Sequence, residues 1–393
     1  MESTHIRKGF GLKKEIQETL EQEYHSALID EIKASGWQLT RGRTTIKLAK
    51  EYGFCYGVDR SIDYAYQTVK KFPDKKIYLT GEIIHNPFVN KRLIDMGVHF
   101  LSGQYNRGEA VTDIKMEDVV ILPAFGVTIP QLEQLKKIGC LLVDTTCGSV
   151  LNVWKHVQRF SRDHYTAVVH GKYYHEETQA TVSQTDPDSG GKYIIVRNFS
   201  ETERVCEYIR HGGDKEKFVE YFNKSVSPAF DPDTDLVRIG CANQTTMLAN
   251  ESLQVAEMVK EALIERYGEE TIDEHYRAFD TICSATQERQ DAIIDMLEEG
   301  TNLTLVIGGY NSSNTNNLTN IAAKYGPAFH IEDVSAIISK SEIRHKVPDS
   351  STVISSADWL PDGEQIIGIT AGASTPDTKI EEVINRVLQL GEK

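Results

Sequence analysis

From about residue 46 onward the chain alternates two kinds of segment. Short apolar runs (KKIYLTG, DVVILPAFG, CLLVDTTC, YTAVVHG, KYIIVRN, LVRIGCANQ, NLTLVIGG and EQIIGITAG) end in glycine, asparagine or small polar residues. Between them lie stretches with helical spacing, such as SIDYAYQTVKKF, PQLEQLKKIG, SVLNVWKHVQRFSRD, ATQERQDAIIDMLEEG, NNLTNIAAKYG and TKIEEVINRVLQLG. Strand–helix alternation of this kind predicts an α/β protein with mainly parallel sheets covered by helices. Ligands then bind beyond the carboxyl ends of the strands. Residues 1–45 differ: they read as a polar, mostly helical extension, with Leu20, Tyr24, Leu28 and Ile32 at helical spacing. Turn chemistry marks SQTDPDSGGK (183–192) and DPDTD (231–235) as loops.

A length of 393 residues predicts two or three domains with sizeable cores. The formal net charge of −15, from 43 basic and 58 acidic residues, argues against a broad nucleic-acid or anionic-membrane surface. A small anionic ligand is still compatible, because a pocket can be locally positive within an acidic shell. No apolar run approaches membrane-spanning length, and the N-terminus has no apolar signal core. The cytoplasm is the expected setting. Thiols stay reduced there, so the six cysteines are not expected to form a disulfide framework.

VDTTCGSV (143–150) is nearly repeated as FDTICSAT (279–286), and GFCYGVDR (53–60) is a third turn of the same type. Cys55, Cys147 and Cys283 therefore each fall between a strand and a helix. A helix N-terminus presents unpaired N–H groups and the positive end of a dipole, both of which favour thiolate. Three such junctions aimed at one point make a soft site suited to zinc, Cu(I) or iron–sulfur. A single cysteine is more often a small buried hydrophobe; the repeated setting puts a metal-binding role level with that reading. Cys-x-x-Cys pairs, the usual mark of a zinc finger, are missing. Cys140, Cys206 and Cys241 lack the junction setting and read as packing residues.

VVHGKYYHEETQAT (168–181) concentrates His170, His175, Glu176 and Glu177 after a strand. It reads either as a proton-handling or metal-binding segment or as a solvated loop entering a helix. CANQTTML (241–248) places Thr245 and Thr246 at another strand end, where hydroxyls relay protons or cap a helix. IGGYNSSNTNNL (307–318) joins a strand, two glycines and a run of hydroxyls and amides to a helix, which is an anion cradle. ITAGASTPD (369–377) repeats that scheme, and GEIIHNP (81–87) adds His85. Together they suggest a phosphate or diphosphate held mainly by neutral donors. Walker and G-x-G-x-x-G motifs are absent, so a nucleotide is not indicated.

Taken in order, GFCYGVDR, GEIIHN, VDTTCGSV, HEETQAT, NQTTM, DTICSATQERQ, NSSNTNNL and TAGASTPD resemble the 4-hydroxy-3-methylbut-2-enyl diphosphate reductases, the last enzymes of the non-mevalonate isoprenoid pathway. The resemblance covers roughly residues 46–380. It implies a trefoil-like arrangement of three α/β units around a central iron–sulfur cluster: residues 46–146, 147–282 and 283–370, with 371–393 returning to the first. It implies Cys55, Cys147 and Cys283 as ligands of a [4Fe–4S] cluster whose remaining iron binds the substrate hydroxyl. Glu177 matches the proton-delivering carboxylate and Thr245 its hydroxyl partner. His85 and His175 match diphosphate-pocket histidines, and Ser312, Ser313, Asn314 and Ser374 match the diphosphate-binding turns. The implied reaction is reductive dehydroxylation of the allylic diphosphate to isopentenyl and dimethylallyl diphosphate, with a ferredoxin or flavodoxin as electron donor.

Two departures stand out. Phe125, in PAFGVT, occupies a position where many relatives carry histidine. HGKYYHEE is two residues longer between its histidines than in many relatives. With the extension 1–45, this resembles the branch found in cyanobacteria and plastids. Two rival classes remain at this level. A cluster-bearing sensor or electron carrier needs the cysteines but not Glu177. A zinc-dependent hydrolase would use cysteine and histidine ligands.

Overall fold

The computed structural model describes residues 5–185, 190–279, 281–348 and 350–392. The chain forms two compact units and crosses between them repeatedly. One comprises Met1–His5, Val111–Glu117 and Leu122–Cys283; the other comprises Ile6–Ala110, Asp118–Ile121 and Ser284–Lys393.

The first unit is built on a four-stranded, all-parallel sheet in the order Tyr276–Ala278, Ile239–Asn243, Thr166–His170, Tyr193–Val196. Its two central strands, TAVVH and IGCAN, are buried along their whole length, as expected for strands covered on both faces. Helices Phe199–His211 and Ala249–Tyr267 supply one apolar layer through Val205, Ile209, Val255, Val259 and Leu263. Helix Gly148–Arg162 supplies another through Val153, Val157 and Phe160. In register, Asn243 lies opposite His170, so both motif-bearing strands end level with one another.

The second unit holds a seven-stranded sheet. Its middle is parallel: Ala328–Ile331, Leu303–Ile307, Gln365–Ala371 and Thr44–Leu48. Antiparallel strands Glu342–Lys346 and Val353–Ala357 extend one edge, and Gln38–Arg41 closes the other. In the same unit, strand Ile77–Leu79 pairs in parallel with Val98–Phe100 on one side and with residues 119–121 on the other. The sheets are thus mainly parallel and interleaved with helices, as the alternation predicts.

Residues 1–45, read as a polar extension, contribute directly to the core. They form helices Lys13–Tyr24 and Ala27–Ala34, separated where Ser26 accepts the Ile29 N–H at 3.1 Å and caps the second helix. Leu28, Ile29 and Ile32 join Ile46, Leu48, Ile367, Ile369, Ile380 and Val387 in one apolar cluster. The DPDTD segment is also not a loop. Pro232–Asp235 makes one helical turn, with proline in its opening positions and the Asp231 carboxylate accepting the Asp233 N–H. Within the other expected loop, residues 186–189 lie outside the described residues.

Candidate active site

All six cysteines are free of disulfides, and they divide into two sets: Cys55, Cys147 and Cys283 are half-buried, while Cys140, Cys206 and Cys241 are buried. Cys55 is the N-cap of helix Tyr56–Lys71, Cys147 is the N-cap of helix Gly148–Arg162, and Cys283 immediately precedes helix Ser284–Glu298. The half-buried set is the set at strand-to-helix junctions.

In the first unit, strand Leu141–Asp144 delivers the chain to Cys147 through a tightly bonded corner. Thr145 donates its hydroxyl to the Leu122 carbonyl at 2.7 Å. Thr146 donates its N–H and its hydroxyl to Asp144 Oδ1, and the Cys147 N–H reaches the Ala124 carbonyl at 2.7 Å. Burial pushes the Cys147 thiol up, against N–H bonds from Ser149 and Val150; a nearby Cys283 adds to the rise. The Cys147 thiol therefore lies within electrostatic reach of Cys283. A bound metal ion supplies the opposite charge that converts such thiols to thiolates. The approach to Cys283 is fixed by the Thr281 hydroxyl, which donates to Asn243 Oδ1 at the end of strand Ile239–Asn243.

Glu177 is the second residue of helix Glu176–Val182, whose N-cap is His175; the His175 ring accepts the Glu177 N–H at 3.2 Å. Only 3% of Glu177 is exposed, and its Oε1 accepts the Thr245 N–H at 2.6 Å. Gln244 stitches the same two segments together. Its Oε1 accepts the Thr178 hydroxyl at 3.0 Å and the Lys172 N–H at 3.1 Å, while its Nε2 donates to Thr246 at 2.7 Å. Phe125 stands edge-on to His175, with ring centroids 6.3 Å apart, so an apolar ring borders this histidine.

In the second unit, the Cys55 N–H donates to the Ala373 carbonyl and the Gly53 N–H to the Ala371 carbonyl, both at 3.2 Å. This places the Cys55 loop against the end of strand Gln365–Ala371. Gly53 has φ +63°, and a Cβ there would lie 3.0 Å from the Thr375 carbonyl oxygen, so only glycine suits the turn.

The candidate anion cradle lies in the same unit. Ser312 caps helix Ser313–Ala322, accepting the Thr315 N–H at 3.3 Å and the Thr315 hydroxyl at 3.0 Å. Asn314 Oδ1 accepts the Ala373 N–H at 2.9 Å, while its buried Nδ2 has no hydrogen-bond partner among the described residues. Ser374 donates to the His85 carbonyl at 3.1 Å, bringing the second turn and the histidine segment to the cradle. A Cβ at Gly309 would sit 2.6 Å from that same carbonyl, so the backbones meet as closely as glycine allows. Glu82 Oε2 lies 3.0 Å from His85 Nδ1 and also accepts from Asn311. Burial pushes the Glu82 carboxyl up, but His85, Gln104 and Asn311 outweigh it and hold it below the usual range. A carboxylate at Nδ1 orients the ring.

Each unit thus collects its own share of the sequence-predicted residues. Cys147, Cys283, His175, Glu177 and Thr245 belong to the first, and Cys55, His85, Ser312, Ser313, Asn314 and Ser374 to the second. Sequence reasoning did not single out Glu82 or Arg289, although both lie inside motifs already noticed, GEIIHN and DTICSATQERQ.

A family model described as LytB protein matches residues 46–388. The chain belongs to the LytB family. Among its relatives, the 4-hydroxy-3-methylbut-2-enyl diphosphate reductase of Gloeobacter violaceus is 45% identical over 390 residues, covering 98% of this chain and 92% of the relative. The enzyme of the same name from Thermosynechococcus vestitus is 46% identical over 385 residues, covering 98% and 94%. Matches this long include most of residues 1–45, so these LytB proteins share the N-terminal segment. A solved structure of (E)-4-hydroxy-3-methyl-but-2-enyl diphosphate reductase, the terminal enzyme of the non-mevalonate pathway, has a TM-score of 0.53 at 27% identity, covering 88% of this chain and all of that one. The E-1-hydroxy-2-methyl-but-2-enyl-4-diphosphate reductase of Plasmodium falciparum shares the fold, with a TM-score of 0.62 at 22% identity over 86% of each chain. As a LytB protein this chain is an enzyme of the oxidoreductase class. No helix among the described residues is long and apolar enough to cross a membrane.

Proposed function

We propose that this chain reduces (E)-4-hydroxy-3-methylbut-2-enyl diphosphate to isopentenyl and dimethylallyl diphosphate. In this reading Cys55, Cys147 and Cys283 hold a [4Fe–4S] cluster, and residues 46–146, 147–282 and 283–370 act as three α/β units that each bring one cysteine. The observation that carries the reading is the division of the cysteines. The three at strand-to-helix junctions are half-buried, and the three elsewhere are buried. Thiolate ligands at helix N-termini fit an iron–sulfur group. When bound, the cluster supplies single electrons and Lewis-acid assistance at an iron the protein leaves unligated.

The chain's own residues do the rest. The cradle of Ser312, Ser313 and Asn314, with Ser374, grips the diphosphate through neutral donors and a helix N-terminus. The unpartnered Nδ2 of Asn314 is the kind of donor an anionic oxygen satisfies. His85, held by Glu82, and His175 add further donors. Glu177 holds the proton for the departing hydroxyl, with its carboxylate anchored by the Thr245 N–H at Oε1. The C–O bond breaks and its oxygen leaves as water after taking one proton. Two electrons and a second proton form the new C–H bond, at one allylic carbon or the other, which accounts for two products. Hydroxide is a poor leaving group, so a positioned acid is required. A small electron-transfer protein of the ferredoxin or flavodoxin type fits as donor. A reducing compartment such as the cytoplasm fits six cysteines without a disulfide.

Anaerobic purification followed by turnover of the allylic diphosphate with a strong artificial reductant tests this. Brown protein containing iron and sulfide and forming C5 diphosphates is expected; a colourless zinc protein would defeat it. Glu177→Gln is expected to abolish turnover while leaving the cluster spectrum in place. Undiminished turnover in that variant would remove Glu177 from proton delivery and favour a sensor or carrier.

A further inference from the structure

Arg289, on helix Ser284–Glu298, is only 3% exposed, yet its guanidinium bonds to backbone carbonyls rather than to a carboxylate. Nη1 donates to the Ala285 carbonyl at 2.8 Å. Nε and Nη2 both reach the Gly53 carbonyl, at 3.2 and 2.8 Å, and Nη2 also reaches Phe54 at 3.1 Å and Tyr52 at 3.4 Å. The Phe54 carbonyl belongs to the peptide bond that joins Phe54 to Cys55. Ala285 stands two residues beyond Cys283 in the chain. One planar fork therefore ties the three residues before one cysteine to the first turn of the helix that begins after another.

Burying a cation is costly unless its hydrogens are satisfied. A loop needing only rigidity could be held by a neutral amide. Arginine adds a donor fork matched to clustered oxygens and a charge that cannot be lost by deprotonation. We propose that Arg289 is a positioning residue for Cys55, clamping its loop in the ligating geometry and placing a fixed positive charge beside the site. The inference rests on the cluster reading above. Hydrogen bonding and net charge around an iron–sulfur group set its potential, and a nearby cation favours the electron-rich reduced form.

The test compares the wild-type holoprotein with R289K and R289Q, all purified anaerobically. Iron and sulfide content, iron release to a chelator, reduction midpoint and thermal midpoint are measured. R289Q is expected to release iron about 10–100-fold faster than wild type, the usual cost of losing support behind a metal ligand. R289K, which keeps the charge but not the fork, should lie between. The reduction midpoint should fall in R289Q and stay near wild type in R289K, a split that loss of stability alone does not produce. A folded R289Q with wild-type iron release and potential overturns the proposal. If R289Q does not fold, R289K decides, and wild-type iron release there overturns it. If neither folds, Arg289 belongs to the folding core and the positioning role is likewise rejected. Wild-type protein lacking iron and sulfide would instead overturn the cluster reading itself.

Discussion

Asn314 and Ser312 sit side by side in the cradle but do different work. The Asn314 side chain is held by the Ala373 N–H at Oδ1, which aims its Nδ2 donor at a place where the protein offers no acceptor among the described residues. A buried donor left in that state costs about 1–3 kcal/mol, and an anionic ligand recovers it. Asn314→Asp keeps the shape and the Oδ1 contact but turns the donor into a negatively charged acceptor. We expect KM to rise by about 10–100-fold, corresponding to the ~1.5–3 kcal/mol of a charged hydrogen bond, with circular dichroism unchanged. An unaltered KM would place the diphosphate elsewhere. Ser312 already accepts both the N–H and the hydroxyl of Thr315, so its own hydrogen is available to a ligand. Ser312→Ala should raise KM by about 5–10-fold, the worth of a neutral hydrogen bond near 1 kcal/mol. It should also cost ~1 kcal/mol of stability through loss of the cap. A stability change without a KM change would make the residue a cap only. The cradle was legible because hydroxyls, amides and glycines follow a strand within a few residues. Glu82 and Arg289 were not. Their roles depend on which distant backbone or ring they reach, and local sequence does not carry that.

At the scale of elements, the alternation of short apolar runs and helical stretches located the central strands and most helices of both units. It missed helices Phe199–His211 and Ala249–Tyr267, where buried positions such as Val205, Ile209, Val255 and Val259 are diluted by many charged neighbours. It also read residues 1–45 as a polar appendage, because two short helices with one apolar stripe each look polar on average. The stripe nevertheless packs into the core: Ile29 and Ile32 are fully buried. Tyr24 and Tyr66 join their hydroxyls at 2.6 Å, and Tyr66 and Arg92 both bond to the Glu23 carboxylate. The segment is thereby tied to helix Tyr56–Lys71, which Cys55 caps. Ile32→Ala is accordingly expected to cost about 2–5 kcal/mol, as for other fully buried large-to-small changes. Denaturant unfolding followed by circular dichroism measures it. A cost below about 0.5 kcal/mol, the range of surface substitutions, would return residues 1–45 to the status of an arm.

At the scale of the molecule, each unit carries a buried neutral histidine that makes its stability depend on pH. In the first unit, burial pushes His170 down to about 4, with its Nδ1 2.8 Å from the Ser252 hydroxyl. In the second, burial pushes His330 down to about 4, aided by the Lys346 charge, and its Nε2 donates to the Gly308 carbonyl at 2.9 Å behind the cradle. An unfolded histidine titrates near 6.5. Between about pH 6.5 and 4 the unfolded chain therefore binds more protons than the folded one, so stability falls as pH falls through that window and is fully present above it. A drop of this size is worth roughly 3 kcal/mol per histidine. Together the two histidines contribute about 2.5 kcal/mol per pH unit near the middle of the window, partly offset by Asp59, whose carboxyl burial raises to about 6 so that it gains a proton more readily in the folded chain. Carboxylates held low, such as Glu82, contribute only as the pH falls further, through their own depressed values. The acid limb should thus begin above the carboxylate range. Unfolding free energies measured from pH 7.5 to 4.5 check this, and His330→Gln, which retains an N–H for Gly308, should lower the slope by about 1 kcal/mol per pH unit, the share of one histidine. A flat profile over that range, or a slope unaffected by the substitution, would mean that His330 is not held neutral in the folded protein.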